Sequence, residues 1–217
     1  SIFLAALATL TSGAALAQSS VTVYGRLNVS AERQKDGDTT INALQNNASR
    51  LGFKGTEDLG GGLKASFLLE HGFNADTGAA SGGAAGFWGR ESWVGLEGAF
   101  GKVRLGNVGF GTAAYFATAD YISMHNHDTG TSSDAFYLYP GAPLTNVIAY
   151  ATPTIAGFTA EGQFGLKEST KTKNTFVLAG NYDAGPLHLG AGYVSAPTGM
   201  ATPPASDSAK EFGVRAL

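Results

Sequence analysis

Cysteine is absent from the 217 residues, which removes disulfide frameworks, thiol nucleophiles and cysteine metal sites in one step. Charge is scarce as well: Asp, Glu, Lys and Arg make up 14% of the chain, against about 25% in an ordinary soluble domain. The hydrophobic fraction is only 43%, so the missing charge is not replaced by a larger apolar core. Net charge is -3, which gives no reason to expect nucleic acid or an anionic surface as a partner. Long apolar runs are missing after residue 17; none approaches the ~18 residues that a membrane-spanning helix needs. If the mature chain enters a membrane, it has to enter as strands.

Residues 1–17, SIFLAALATLTSGAALA, are the one apolar run, and they end in Ala15-Leu16-Ala17 before Gln18. That is the h-region and A-x-A cleavage site of a secretory signal peptide, incomplete at its N-terminus, so export is expected. Glycine is what the chain has in excess, at 31 residues, about twice average usage. Interior glycines cost helices about 0.5 to 1 kcal/mol each relative to alanine, so a helical protein is disfavoured.

The dominant sequence period is two. In VTVYGRLNVSAE (21–32), Val21, Val23, Leu27, Val29 and Ala31 share one face and Tyr24, Arg26, Asn28 and Glu32 the other, as expected of a strand with one dry and one wet side. In SRLGFKGTEDLGGGLKASFLLEH (49–71), Leu51, Phe53, Leu63, Ala65, Phe67 and Leu69 alternate with Arg50, Lys54, Thr56, Lys64, Ser66 and Glu70, around a tight Gly60-Gly61-Gly62 turn. Further strands are expected at 86–98, 102–107, 146–152, 158–166, 175–183, 187–193 and from Lys210 to the end, ten in all and joined antiparallel. Short connections follow Thr56, Leu96, Thr152 and Asp183, and longer polar ones follow Glu32, Phe73, Leu166 and Val194. Segment 109–145 stands apart from this alternation as too long for an unstructured loop, and its tyrosines and phenylalanines argue that it packs.

Two folds accommodate such strands. A soluble β-sandwich buries the apolar face against a second sheet; a transmembrane barrel turns it to lipid and lines a lumen with the other. The polar face carries Arg26, Arg50, Lys54, Lys64, Arg90, Lys102 and Arg104, with acids at Glu32, Glu70 and Glu161. Export, glycine content, strand length and the long internal segment favour the barrel. Trp93 is expected as a lipid-facing or interface anchor.

Signs of catalysis are thin. His125-Asn126-His127-Asp128 offers two imidazoles and a carboxylate without a third spaced ligand, so no metal is expected. His71 and His188 have no nucleophilic or acidic partner by spacing, so no triad is read. GNVGFG (106–111) misses the dinucleotide spacing. No cofactor and no enzyme activity are expected.

The stretches VTVYGRLNVSAE, SRLGFKGTEDLGGGLKASFLLEHGF, GRESWVGLEGAFGKVRLGN and NVIAYATPTIAGF, in this order, resemble the opening strands of the general porins of Gram-negative outer membranes. The resemblance covers residues 18–217. It implies an all-β, antiparallel transmembrane barrel of meander topology, with about ten of an expected sixteen strands present and a long third loop, about 109–145, folded inward as a constriction. By the same resemblance, Arg26, Arg50 and Arg90 match a basic wall, and Asp120, Asp128 and Asp134 are the acidic groups on the loop. Outer-membrane lipid, a homotrimer, and small hydrophilic solutes and ions are the implied partners. Passive diffusion with a weak lean to anions is the implied function; an adhesive or structural barrel and a secreted binding sandwich are the alternatives.

Departures from the family pattern also have consequences. Ala142-Pro143-Leu144 and Asn107 stand where relatives commonly carry arginine, which reduces the basic wall. Leu217 stands where a terminal aromatic is usual. Ten strands cannot close at the porin radius, because closure links strand number, tilt and shear. The expectation is a truncated barrel domain, with the first and last strands as open edges and no working pore from these residues alone.

Overall fold

The computed structural model describes residues 20–81, 86–109, 113–118, 145–168, 173–197 and 208–217. The expected signal peptide at 1–17 and most of segment 109–145 lie outside the described residues.

Ten strands form one antiparallel sheet: β1 (Ser20–Arg26), β4 (Arg50–Gly60), β5 (Leu63–Gly72), β6 (Glu91–Gly98), β7 (Gly101–Asn107), β8 (Val147–Ala151), β9 (Phe158–Gly165), β10 (Thr175–Ala184), β11 (Leu187–Pro197) and β12 (Ser208–Ala216). They are ordered β1-β4-β5-β6-β7-β8-β9-β10-β11-β12. The sheet is a meander, and β1 and β12 stand at its two ends. The ten expected strands are these ten, with two changes. The expected first strand breaks at Leu27-Asn28, and the connection after it folds into a separate hairpin of β2 (Val29–Asp36) and β3 (Thr39–Asn46). Glu32 therefore sits on that hairpin, not on the sheet; hydrogen bonds from Ser30 and then Gln34 hold its carboxyl below the usual carboxylate range. The strand expected from 86 begins only at Glu91, because residues 86–90 turn.

Connection lengths alternate strictly. β4–β5, β6–β7, β8–β9 and β10–β11 close in short turns at one end, and the five longer connections lie at the other. The β7–β8 segment thus belongs to the long-loop end like its neighbours. At the tightest turn, Gly60, Gly61 and Gly62 all take positive φ (84°, 62° and 82°), a run that side-chain-bearing residues would resist. The Asp58 carboxylate accepts the Gly60 N–H at 2.8 Å.

Pleating sorts the side chains as the sequence period requires. On one face, cross-strand partners such as Ile148 with Phe164 and Phe164 with Phe176 are large and apolar. They are exposed: Val21 63%, Val94 60%, Leu178 50% and Phe212 73%. Among the described residues no second sheet packs on them, so the sandwich alternative fails on its main requirement. Leu27 is 76% exposed, and Phe53 and Phe67 are half-buried on this face. Aromatics gather at both margins of the face, with Phe53, Phe87 and Trp88 at the long-loop end (Phe87–Trp88 centroids 4.9 Å apart) and Phe158 with Tyr182 (4.3 Å) at the short-turn end. Two aromatic margins around an apolar band are what the two interfaces of a bilayer select.

Buried apolar contacts lie on the opposite face. One cluster joins Trp93, Val108, Val147 and Ala149; the other joins Ala113, Ala114 and Ala117 to Val177, Ala179, Val194 and Ala196. The three alanines belong to the helix α1 (Ala113–Thr118), which lies across β9 to β12. It gets that close because β11 is bare there. A Cβ at Gly192 would stand 2.6 Å from the Ala114 Cβ, and one at Gly190 would overlap the Ala117 carbonyl oxygen.

Candidate functional site

The face that carries α1 is also the ionic face. The register Thr22–Lys54–Leu68–Trp93 and Arg26–Arg50–Gly72 runs straight across β1, β4, β5 and β6. Lys64 lies opposite Asp58 and Glu97, and Glu97 opposite Lys102. Arg104 pairs with Gly95 and Ala149 on the same face. Six of the expected basic residues, Arg26, Arg50, Lys54, Lys64, Lys102 and Arg104, thus share one face, and Arg90, just before β6, joins them through Glu70. Asp120, Asp128 and Asp134 lie outside the described residues, as do His125 and His127.

Most of the cations are held by partners. Glu70, 7% exposed, accepts from Tyr24 Oη at 2.7 Å and Arg90 Nε at 2.5 Å, with Arg50 Nε at 3.9 Å. Glu91, directly opposite Glu70 in register, accepts instead from the Trp93 indole N–H at 2.7 Å, so each of the two facing carboxylates has its own donors. Arg26 donates to the carbonyls of Asn47 (2.8 Å) and Ala48 (3.3 Å), where the hairpin returns to the sheet and Ala48 takes φ 51°. Arg104 reaches over Ala149 to Glu161; the small alanine leaves the path open. Lys102 lies 3.7 Å from Glu97. Lys54 lies over the Tyr24 ring, 5.3 Å from its centre.

A chain of polar contacts joins this wall to the helix. Gln163 Nε2 donates to Glu161 at 2.8 Å, and Gln163 Oε1 accepts the Ala113 N–H at 3.3 Å. Arg104, Glu161, Gln163 and the start of α1 are therefore continuous. Gln163 is 4% exposed and was not among the expected site residues, although its parity with Glu161 in FTAEGQFGL places it on the polar face. Arg215, 6% exposed, is another buried cation on this face, opposite Gly190.

Trp93 corrects an expectation. It is 9% exposed and lies on the ionic face, with Lys102 Nζ 5.0 Å and Arg104 Cζ 5.7 Å from its ring centre. The tryptophan on the apolar side is Trp88, edge-on to Phe53 at 6.0 Å. Its parity with Glu91 and Glu97 assigns Trp93 correctly. His188, expected to lack an acidic neighbour, has its Nδ1 2.6 Å from Asp183 Oδ1 across the β10–β11 turn. Among the described residues no group of three or more His, Asp or Glu has metal-binding geometry.

A model of the Gram-negative porin family matches residues 4–216. The chain belongs to the Gram-negative porin family. It is 38% identical to outer membrane porin protein 32 of Delftia acidovorans over 204 residues, covering 88% of this chain and 56% of that protein. It is 36% identical to the major outer membrane protein P.IA of Neisseria meningitidis over 127 residues, covering 57% of this chain and 30% of that one. Among solved structures, the anion-selective porin from Comamonas acidovorans superposes with TM-score 0.63 at 26% identity, over 91% of this chain and 63% of that one. Salmonella typhi OmpF gives TM-score 0.64 at 15% identity, over 90% and 61%, a likeness of fold alone. The chain spans about half the length of the first of these curated relatives and less of the second. With relatives named as outer-membrane proteins, the porin's place is the Gram-negative outer membrane.

Proposed function

We propose that this porin forms the wall of a water-filled channel through which small hydrophilic solutes and ions diffuse passively, with a weak lean to anions. The observation that carries the reading is that α1 packs on the ionic face: a segment of the long β7–β8 connection folds back over the charged side of the sheet instead of away from it. In this reading Arg26, Arg50, Lys54, Lys64, Arg90, Lys102 and Arg104 line the lumen, and segment 109–145 is the constriction loop that brings Asp120, Asp128 and Asp134 toward them. Opposed charges across a narrow aqueous gap create a transverse field that sorts ions and orients dipoles. The channel works as a homotrimer, without cofactor, metal or covalent chemistry.

The lean to anions is weak for a countable reason. Among the described residues Asp58, Glu70, Glu91, Glu97, Glu161, Asp183 and Glu211 share the face with the seven cations and Arg215, which leaves a small positive excess. The name of the Comamonas relative, an anion-selective porin, points the same way. The test is reconstitution of the complete gene product in a planar bilayer under a potassium chloride gradient. The reading requires stepwise ohmic conductance and a reversal potential on the chloride side, moving toward the potassium side when Arg50 and Lys54 are both changed to Gln. A correctly folded barrel that passes no current contradicts it and favours an adhesive or structural role.

A further inference from the structure

The ionic face contains a built hollow. A row of small residues, Thr56, Ser66 and Gly95, crosses β4, β5 and β6 in register, beside the bulky row Lys54, Leu68 and Trp93 and below Lys102. The space left is a concavity of about 370 Å3 whose lining includes Thr22, Lys54, Ser66, Leu68, Trp93 and Lys102. That volume lies in the range of small-molecule sites.

Its chemistry is mixed in a particular way. Lys54 and Lys102 approach from opposite sides, on strands three spacings apart, about 14 Å; side chains reaching inward narrow that gap. Each ammonium rests on an aromatic ring, Lys54 on Tyr24 and Lys102 on Trp93. Among the described residues no carboxylate lies within ion-pair distance of Lys54, and Lys102 has only Glu97 at 3.7 Å. Ser66 lines the hollow, and its hydroxyl oxygen lies buried beneath that lining without a hydrogen-bond partner among the described residues. Leu68 and Trp93 supply apolar surface between the cations.

We propose that this hollow is a binding subsite for small arene carboxylates, molecules with one flat apolar ring and one anionic group. The carboxylate takes the lysines, and the ring covers Leu68 and Trp93. An inorganic anion would leave the apolar lining wet, and a neutral sugar would leave the Lys54 ammonium without a counter-charge. The proposal deepens the channel reading, since it rests on this face being open to the aqueous lumen, but binding itself can be read without current.

The experiment uses the chain folded in detergent micelles. It has two tryptophans, so Trp88→Phe leaves Trp93 as the only indole. Sodium benzoate is titrated at constant ionic strength, with sodium acetate, sodium chloride and benzyl alcohol as comparators. The expected result is a saturable change in Trp93 emission with benzoate alone, weakened about tenfold by Lys54→Gln or Lys102→Gln and unchanged by Lys35→Gln on the remote hairpin. Should Trp88→Phe fold poorly, fluorine NMR of 5-fluorotryptophan in the unsubstituted chain reads the same site. An equal response to acetate or chloride overturns the proposal in favour of a plain anion site. An equal response to benzyl alcohol, indifference to the lysine changes, or no benzoate response overturns it outright. Bilayer recording of the complete gene product separates the two readings: conductance without benzoate binding removes only the subsite, and binding without conductance removes only the channel.

Discussion

The ionic face is built in two ways along its width, and the difference follows from what covers it. Over β1 and β4 to β7 it is a network of ions: Glu70 with Arg90, Arg50 and Tyr24, Lys102 with Glu97, Arg104 with Glu161. Over β10 and β11 it is nearly free of charge beneath α1, carrying Val177, Ala179, Gly192, Val194 and Ala196. The first region keeps its charges by pairing them; the second is covered by a helix of small residues and can keep only what packs. One period-two pattern therefore hides two environments, and Gln163 is the hinge between them, bonded to Glu161 on one side and to the helix start on the other.

The largest break in that contrast should come from the ion network. Glu70→Ala takes away the buried carboxylate that Arg90, Arg50 and Tyr24 share, and removing one member of a buried pair costs about 3 to 5 kcal/mol. Urea unfolding in detergent should show that loss, with a smaller loss for Glu70→Gln, which keeps hydrogen-bonding atoms for Tyr24 and Arg90. Next is the outer surface, which both regions share. Unfolded by urea from liposomes, Leu178→Lys puts a charge in the middle of the lipid band for about 2 to 4 kcal/mol, whereas a lysine at Thr56, across the sheet on the ionic face, should cost almost nothing.

The covered region answers to size instead of charge. Gly192→Val pushes into Ala114, and overpacking of this kind costs about 1 to 3 kcal/mol; the expected readout is faster proteolysis within 113–118 with sheet stability nearly kept. Smallest is Lys64→Gln, an exposed member of the ionic region, worth at most about 0.5 kcal/mol. Its stability should be indistinguishable from that of the parent chain, while reversal potential moves slightly toward cations.

Much of this was legible in the residues, and the misses have physical causes. Alternation located all ten strands of the sheet, because in a barrel wall both faces are under continuous selection by lipid and water. It missed the β2–β3 hairpin, since QKDGDTT reads as loop composition and the hairpin has no fully buried face to enforce a pattern. It misplaced Trp93, because an indole's amphipathic character suits either a membrane interface or a seat under two cations; parity with Glu91 and Glu97 decides, and composition does not. Basic residues on the ionic face were readable one by one, but their partners were not. Arg104 meets Glu161 and Arg90 meets Glu70 across separations of 57 and 20 residues, which no local spacing rule encodes. The seat of α1 had a signal in hindsight, the Gly-x-Gly of LHLGAGY, which reads as ordinary strand glycine until the helix is laid on it.

The central claim is the direction of the two faces, and the chain's lack of cysteine makes it directly measurable. Single cysteines at each position from Arg50 to Thr56 would carry a spin label in liposomes, and collision rates with oxygen and with a water-soluble nickel chelate would be compared along β4. The account predicts a period of two, with oxygen accessibility highest at Leu51, Phe53 and Gly55 and nickel accessibility highest at Arg50, Lys54 and Thr56. Leu51 and Phe53 shielded from both probes, as in a dry protein core, would contradict it.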